Sequence, residues 1–204
     1  MASIVYVLTN ESMPDLVKIG MTTTSIEQRI RELDTTSVPL PFQCYYAAEV
    51  ENAAFVERQI HIGLGDFRIR ESREFFKIDP FRVKAIIEIA AKQDVTPTRD
   101  VVTENSDLTA VNNTLGQMPS FRFSKYEVPV GSMLSFARDP NKPARVLDDK
   151  YVELDGQTMT LAGSALKILN EMGINWRAVQ GSKYWIYEGE TLNERRVRMD
   201  RVDQ

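Results

Sequence analysis

Between Gln93 and Met118 the chain reads QDVTPTRDVVTENSDLTAVNNTLGQM, rich in Thr, Asn and Asp and without a sustained apolar period. A segment of this kind reads as a linker, because it has too few apolar side chains to join a core. It divides the 204 residues into two small domains, 1–92 and 119–204, each long enough to fold around its own interior. The apolar fraction of 43% is ordinary for a globular chain and excludes wholesale disorder. No internal repeat or low-complexity tract is visible.

In the first domain, Ser3–Thr9 sets Ile4, Tyr6 and Leu8 on one face and Val5 and Val7 on the other. A strand apolar on both faces belongs in a sheet interior. Asn10–Asp15 supplies a turn, and Val17–Met21 returns as the second arm of an antiparallel hairpin. Ser25 and Gln28 have the spacing of a capping box that opens a helix over Ile26–Leu33. Phe42–Val50 is a third strand, Asn52 caps a second helix ending near Leu64, and Glu74–Ile78 is a short strand. Asp79-Pro80 opens a helix over Phe81–Lys92, a cap followed by a first-turn proline.

The second domain is denser in strands. Asp155-Gly156 between two alternating segments predicts a tight hairpin, and Leu161–Met172 reads as a helix closed by Gly173. Tyr184–Tyr187 is a short aromatic strand. Thr191 and Glu194 form a second capping box at the head of a basic helix with Arg195, Arg196 and Arg198.

A net charge of −4 argues against holding nucleic acid by bulk attraction. Residues 1–92 carry 11 Lys/Arg against 13 Asp/Glu, residues 93–118 carry 1 against 4, and residues 119–204 carry 13 against 12. Any nucleic-acid contact must therefore use local clusters such as Arg68, Arg70 and Arg73. Cys44 is the single cysteine, so no internal disulfide forms, and no Cys/His spacing suggests structural zinc. Met1-Ala2-Ser3 lacks the start of a secretory signal and no apolar run suits a membrane span, which together lead us to expect a cytoplasmic protein without a membrane partner.

Several polar residues fall where periodicity expects an interior. At ~100° per residue Arg29 borders the stripe of Ile26 and Leu33, and Glu57 lies beside Ala53 with His61 one turn later. Tyr6 and Lys18 sit on adjacent strands, where they can share a face. Singly, each has an ordinary explanation: a core tyrosine, a snorkelling arginine, an i, i+4 pair on a helix edge. Five such groups at one seam between sheet and helices point to a role, because desolvating unmatched charges is costly.

The segments Ile4-Val-Tyr6-Val-Leu-Thr and Val17-Lys18-Ile-Gly20-Met-Thr, followed by the helix bearing Arg29, resemble the GIY-YIG nuclease superfamily. The resemblance is to the phage and bacterial branch whose second motif reads K-I-G. Asn52-Ala-Ala-Phe-Val-Glu57-Arg-Gln-Ile-His61 and Arg73-Glu74-Phe-Phe are similar to that branch as well, and the likeness covers roughly residues 3–90. It implies an α+β domain with a central three-stranded antiparallel sheet flanked by helices, and hydrolysis of DNA phosphodiesters with Mg²⁺ or Mn²⁺. Carried over, Tyr6 helps activate the attacking water, and Lys18 replaces the usual second tyrosine, with an ammonium that would depress the tyrosine pKa or orient the water. Arg29 steadies the scissile phosphate and Glu57 holds the metal. His61 is an acid/base or a phosphate contact, and Glu74 is a supporting carboxylate. Ile4 stands where the first motif usually opens with glycine.

The second domain resembles, over about Val128–Glu194, the restriction-adenine-methylation-associated domain. The residues that carry this are Val130-Gly131-Ser132-Met-Leu-Ser-Phe, Val152-Glu-Leu-Asp-Gly, Leu161-Ala-Gly-Ser-Ala and Tyr184-Trp185-Ile-Tyr-Glu-Gly189. Such domains are thought to sense modified DNA. Trp176, Trp185, Tyr184 and Tyr187 read first as packed core; the DNA-facing alternative has one or two of them, Trp185 among them, stacking on a base with Arg195, Arg196 and Arg198 on the phosphates. The expected function is a metal-dependent DNA endonuclease in restriction or defence against foreign DNA, with the second domain guiding target choice. Its partners would be DNA, a second copy of the chain, or a restriction or modification subunit. The alternative is a non-cleaving DNA-binding or protein-interaction module on a degenerate nuclease scaffold.

Overall fold

The computed structural model describes residues 3–99, 101, 120–174, 176 and 178–202, and it divides into two compact units, Met1–Thr114 and Leu115–Gln204. The chain is α+β, with five helices and two antiparallel sheets among the described residues. No described helix is long and apolar enough to cross a membrane.

In the first unit the hairpin is β1 (Ile4–Thr9) and β2 (Val17–Thr22), followed by α1 (Ile26–Leu33), β3 (Gln43–Glu49) and α2 (Ala53–Gly63). Then come β4 (Phe75–Phe76), α3 (Pro80–Ala90) and β5 (Gln93–Asp94). The sheet order is β4-β2-β1-β3-β5, so the expected three-stranded sheet is in fact five-stranded. The three long strands form its interior, and two-residue strands are added at each margin.

The added margin β5 also moves the linker. Gln93 and Asp94 pair with Glu49 and Ala48, Val95 N–H donates to the Ala47 carbonyl at 2.9 Å, and Thr96 Oγ1 accepts from Ala47 N–H at 3.1 Å. An edge strand is held by main-chain bonds and tolerates polar side chains, so a polar sequence does not exclude pairing. The stretch expected to be linker therefore begins inside the sheet; residues 100 and 102–118 of it lie outside the described residues.

Every residue of β1 is buried, as its two apolar faces require. Ile4, Tyr6 and Leu8 pack with Ile26 and Ile30 of α1 on one side. On the other, Tyr46, opposite Val7, meets Lys84 of α3, and Phe76, opposite Val17, meets His61 of α2. Helices α1 and α2 thus cover opposite faces. Asp79 Oδ1 caps α3 by accepting from Phe81 N–H at 2.9 Å. At α1 the expected capping box is one-way: Ser25 Oγ accepts from Gln28 N–H, but the Gln28 amide turns to Glu32 instead.

The second unit contains β6 (Met133–Phe136), β7 (Asp139–Val146), β8 (Tyr151–Leu154), β9 (Gln157–Thr160), α4 (Leu161–Glu171), β10 (Trp185–Tyr187), β11 (Glu190–Thr191) and α5 (Leu192–Val202). Its sheet order is β11-β10-β6-β7-β8-β9. Asp155 and Gly156 turn the β8–β9 hairpin with φ of 50° and 74°, the left-handed pair that a type I′ turn demands. The capping box at α5 is reciprocal: Thr191 Oγ1 accepts from Glu194 N–H, and Glu194 Oε2 accepts from Thr191 N–H.

Candidate active site

The site begins with a pair of facing residues. In the β1–β2 register Tyr6 lies opposite Gly20 and Leu8 opposite Lys18, so Tyr6 and Lys18 share a face as diagonal neighbours. The Tyr6 ring lies directly over Gly20: a Cβ built there would stand 2.6 Å from the phenol oxygen. A glycine inside a strand marks a close approach of this kind, and it is the one signal by which the sequence could have shown the contact.

Tyr6 is 0% exposed, and its hydroxyl accepts a hydrogen bond from Arg29 Nε at 3.2 Å. Burial raises the phenol above its ordinary pKa, and the bond and charge of Arg29 offset only part of that. Tyr6 is therefore a neutral phenol at neutral pH. Lys18, expected to depress that pKa, is engaged by a carboxylate instead. Its Nζ binds Glu74 Oε2 and lies 5.5 Å from the centre of the Phe75 ring. The guanidinium of Arg29 reaches outward from Tyr6 and contacts Glu32 at 3.3 Å.

Glu57 approaches from the opposite face. It is 19% exposed in its side chain, with Oε1 at 3.9 Å from His61 Nε2. That nitrogen faces the main-chain carbonyl of Ile19 at 3.1 Å, so it carries the hydrogen and donates. The His61 ring packs on Phe76 at 5.0 Å. His61 therefore docks α2 on the margin of β2 through this nitrogen. Burial raises the Glu57 carboxyl above its ordinary pKa; Glu74 adds to the shift, while His61, Lys18 and Arg68 oppose it. The two faces meet here because β4 pairs only with Val17 and Lys18, leaving β2 without a strand partner on that side beyond Ile19. Tyr6, Lys18, Arg29, Glu57, His61 and Glu74 are thus gathered around one open sheet edge.

No group of three or more His, Cys, Asp or Glu that could hold a metal occurs among the described residues. Mg²⁺ commonly takes only one or two protein carboxylates and completes its shell with water and substrate phosphate. Glu57 suits that limited role, since its carboxylate is penalised by burial and paired only loosely with His61.

The remaining expected site residues divide. Arg68 lies over Phe76 and donates from Nε to the Arg73 carbonyl at 2.8 Å, while Arg70 and Arg73 are exposed on the adjoining turn. Trp185 does not face a base. It is 0% exposed, edge-on to Phe136, and its Nε1 donates to Ser164 Oγ at 3.1 Å. Arg195 is not open to phosphate either: it is buried, pairs with Glu188 and Glu190, donates to the Tyr126 carbonyl and covers the Tyr187 ring. Alternation cannot tell an inward tryptophan from a base-stacking one, and a basic helix pattern does not reveal the carboxylates that meet it. Trp185→Ala is expected to cost about 3–5 kcal/mol through the cavity it opens, read as a loss of denaturation midpoint with no effect on the chemistry of the first unit.

Residues 3–91 match the family model of the T5orf172 domain, a span that includes all six residues gathered at the β2 edge. No curated protein and no solved structure matches the chain at a significant level.

Proposed function

We propose that the first unit is a metal-dependent endonuclease of the GIY-YIG type, hydrolysing DNA phosphodiesters in restriction or in defence against foreign DNA, with the second unit guiding target choice. The observation that supports this most is the gathering of an arginine held by a buried phenol, a desolvated carboxylate and a lysine–glutamate pair around one open sheet edge. An isolated structural ion pair would not need three independent elements to converge. The T5orf172 domain, which residues 3–91 match, is found in phage-associated and some nuclease-like or DNA-binding proteins.

The geometry supports a role for each residue. Tyr6 fixes the guanidinium of Arg29, whose planar fork then meets the scissile phosphate. A divalent cation on Glu57 would neutralise phosphate charge and acidify a bound water. His61 docks α2, the helix that carries Glu57, on the sheet edge, and Glu74 keeps the Lys18 ammonium on that same side. The protein would act in the cytoplasm, with duplex DNA as partner and a second copy or a restriction or modification subunit for double-strand cutting. The burial of Tyr6 and the occupation of Lys18 by Glu74 favour a second reading, a module that binds DNA without cutting it. Plasmid nicking by purified protein, on methylated and unmethylated DNA with Mg²⁺ or Mn²⁺, separates the two. Metal-dependent nicks are expected; salt-sensitive binding with no scission under any of these conditions would give the second reading the field.

A conservative test bears on Arg29. Arg29→Lys keeps the charge but loses the fork and its bond to Tyr6, so nicking is expected to fall about 10²-fold with little change in stability. Full activity in that variant would remove Arg29 from the phosphate.

A further inference from the structure

Beside the site, residues Phe67–Lys77 fold back on themselves. Lys77 N–H donates to the Phe67 carbonyl at 2.7 Å, Ile69 N–H to the Phe75 carbonyl at 3.0 Å, and Arg68 bridges Phe76 in antiparallel register. The tip turns at Arg70–Arg73, where Arg73 N–H donates to the Arg70 carbonyl at 2.9 Å, and the Arg68 side chain ties that turn down. The segment is a short finger on the outermost margin of the sheet, joined to Lys18 through Phe75.

Its side chains divide by position. Arg68 is drawn inward over Phe76, whereas Phe67 and Ile69, on either side of it, are 46% and 55% exposed. Arg70 and Arg73 stand exposed at the tip and form no ion pair with a carboxylate among the described residues. Two large apolar side chains in water, flanked by two guanidinium groups that no carboxylate pairs and with the exposed Glu71 between them, fit one partner well. Minor-groove proteins insert Phe or Ile between base steps and place arginines on the phosphates and groove walls. Two apolar side chains are too small a patch for a stable protein interface, and a single aromatic is too few for a single-strand stacking platform.

We propose that Phe67–Lys77 is a groove-entering finger for duplex DNA, with Phe67 and Ile69 as the wedge and Arg70 and Arg73 on the flanking phosphates. This rests on the reading of the first unit as DNA-acting, and it goes further by naming the groove and the bend. The wedge would kink the duplex toward its major groove, away from the finger.

The test uses the full chain in EDTA, so that no strand is cut, with an end-labelled duplex of about 20 base pairs whose bending is read by energy transfer. Wild type is expected to bind and bend. Phe67→Ala/Ile69→Ala should bind about tenfold more weakly with an unchanged salt slope and leave the duplex straight. Arg70→Ala/Arg73→Ala should flatten the log–log salt slope by about two. Because all four side chains are exposed, both variants are expected to melt like wild type. Bending by the alanine wedge variant at the wild-type level, or an unchanged slope without the two arginines, would overturn the finger. The fates of the two readings separate: protein that nicks with Mg²⁺ while the variants bind and bend normally retains the nuclease and loses the finger. Protein that bends DNA through the finger yet never nicks does the reverse, and wild type that fails to bind duplex at all loses both.

Discussion

Glu57→Ala is expected to abolish Mg²⁺-dependent nicking, by about 10²–10³-fold or more, while the protein stays folded. The loss corresponds to the several kcal/mol that a bound divalent cation contributes to a phosphoryl transition state. The fold should survive because Glu57 has only a loose contact with His61, and α2 is anchored by Ile60 in the core and by the His61 bond to Ile19. Glu57→Gln separates chemistry from stability more sharply. Burial raises the wild-type carboxyl, so the folded state binds its proton more tightly than the unfolded state does. At neutral pH the charged form is therefore a small burden on the fold, and wild type gains stability as pH falls through the raised value. The glutamine variant should melt slightly above wild type at pH 7, by less than about 4 °C, and that advantage should vanish in mild acid. A variant that nicks at the wild-type rate would remove Glu57 from the site; one that melts far below wild type would show that its charge supports the fold.

What the sequence made legible was the local part of this arrangement. Adjacent strands allow Tyr6 and Lys18 a common face, and the helical period puts Arg29 beside the core stripe and Glu57 one turn from His61; each relation recurs in the structure. The Asp155-Gly156 turn and the Thr191–Glu194 box were equally visible, because both depend on neighbours a few residues apart. The long-range choices were not. Lys18 meets Glu74 across 56 positions of sequence, and no periodicity selects that partner. Nor does any local pattern say that α1 and α2 cover opposite faces, so that Glu57 reaches the site only where the two-residue β4 stops short. The polar β5 was read as linker because main-chain pairing leaves no apolar trace. Trp185 is the packed core residue that its aromatic neighbours suggest, whereas Arg195 has the look of a phosphate contact because the sequence shows a side chain's chemistry before it shows its partners.

Gly20→Ala should do more damage than its single methyl suggests. The added Cβ would lie 2.6 Å from the Tyr6 oxygen and 2.8 Å from the ring carbon that bears it, and Tyr6 is fully buried, so the ring cannot swing into solvent. Overpacking of this kind costs about 1–3 kcal/mol. The phenol must also withdraw from Arg29, whose guanidinium then loses the bond that aims it, so nicking should fall about 10²-fold or more. Tyr6→Phe provides the comparison, since it removes the hydroxyl and keeps the ring. Its activity should also fall, its stability only by about 1 kcal/mol, and its pH–rate profile should match wild type, because a neutral phenol that aims Arg29 has no titration to contribute near neutrality. Combining the two substitutions decides the matter: with the oxygen gone the clash is partly relieved, so Gly20→Ala should cost less stability, and almost no further activity, in the Tyr6→Phe background. Strict additivity in both would mean that the glycine and the phenol act separately, and a profile shifted by Tyr6→Phe would mean that the phenol exchanges a proton with the reacting water and does more than orient its arginine.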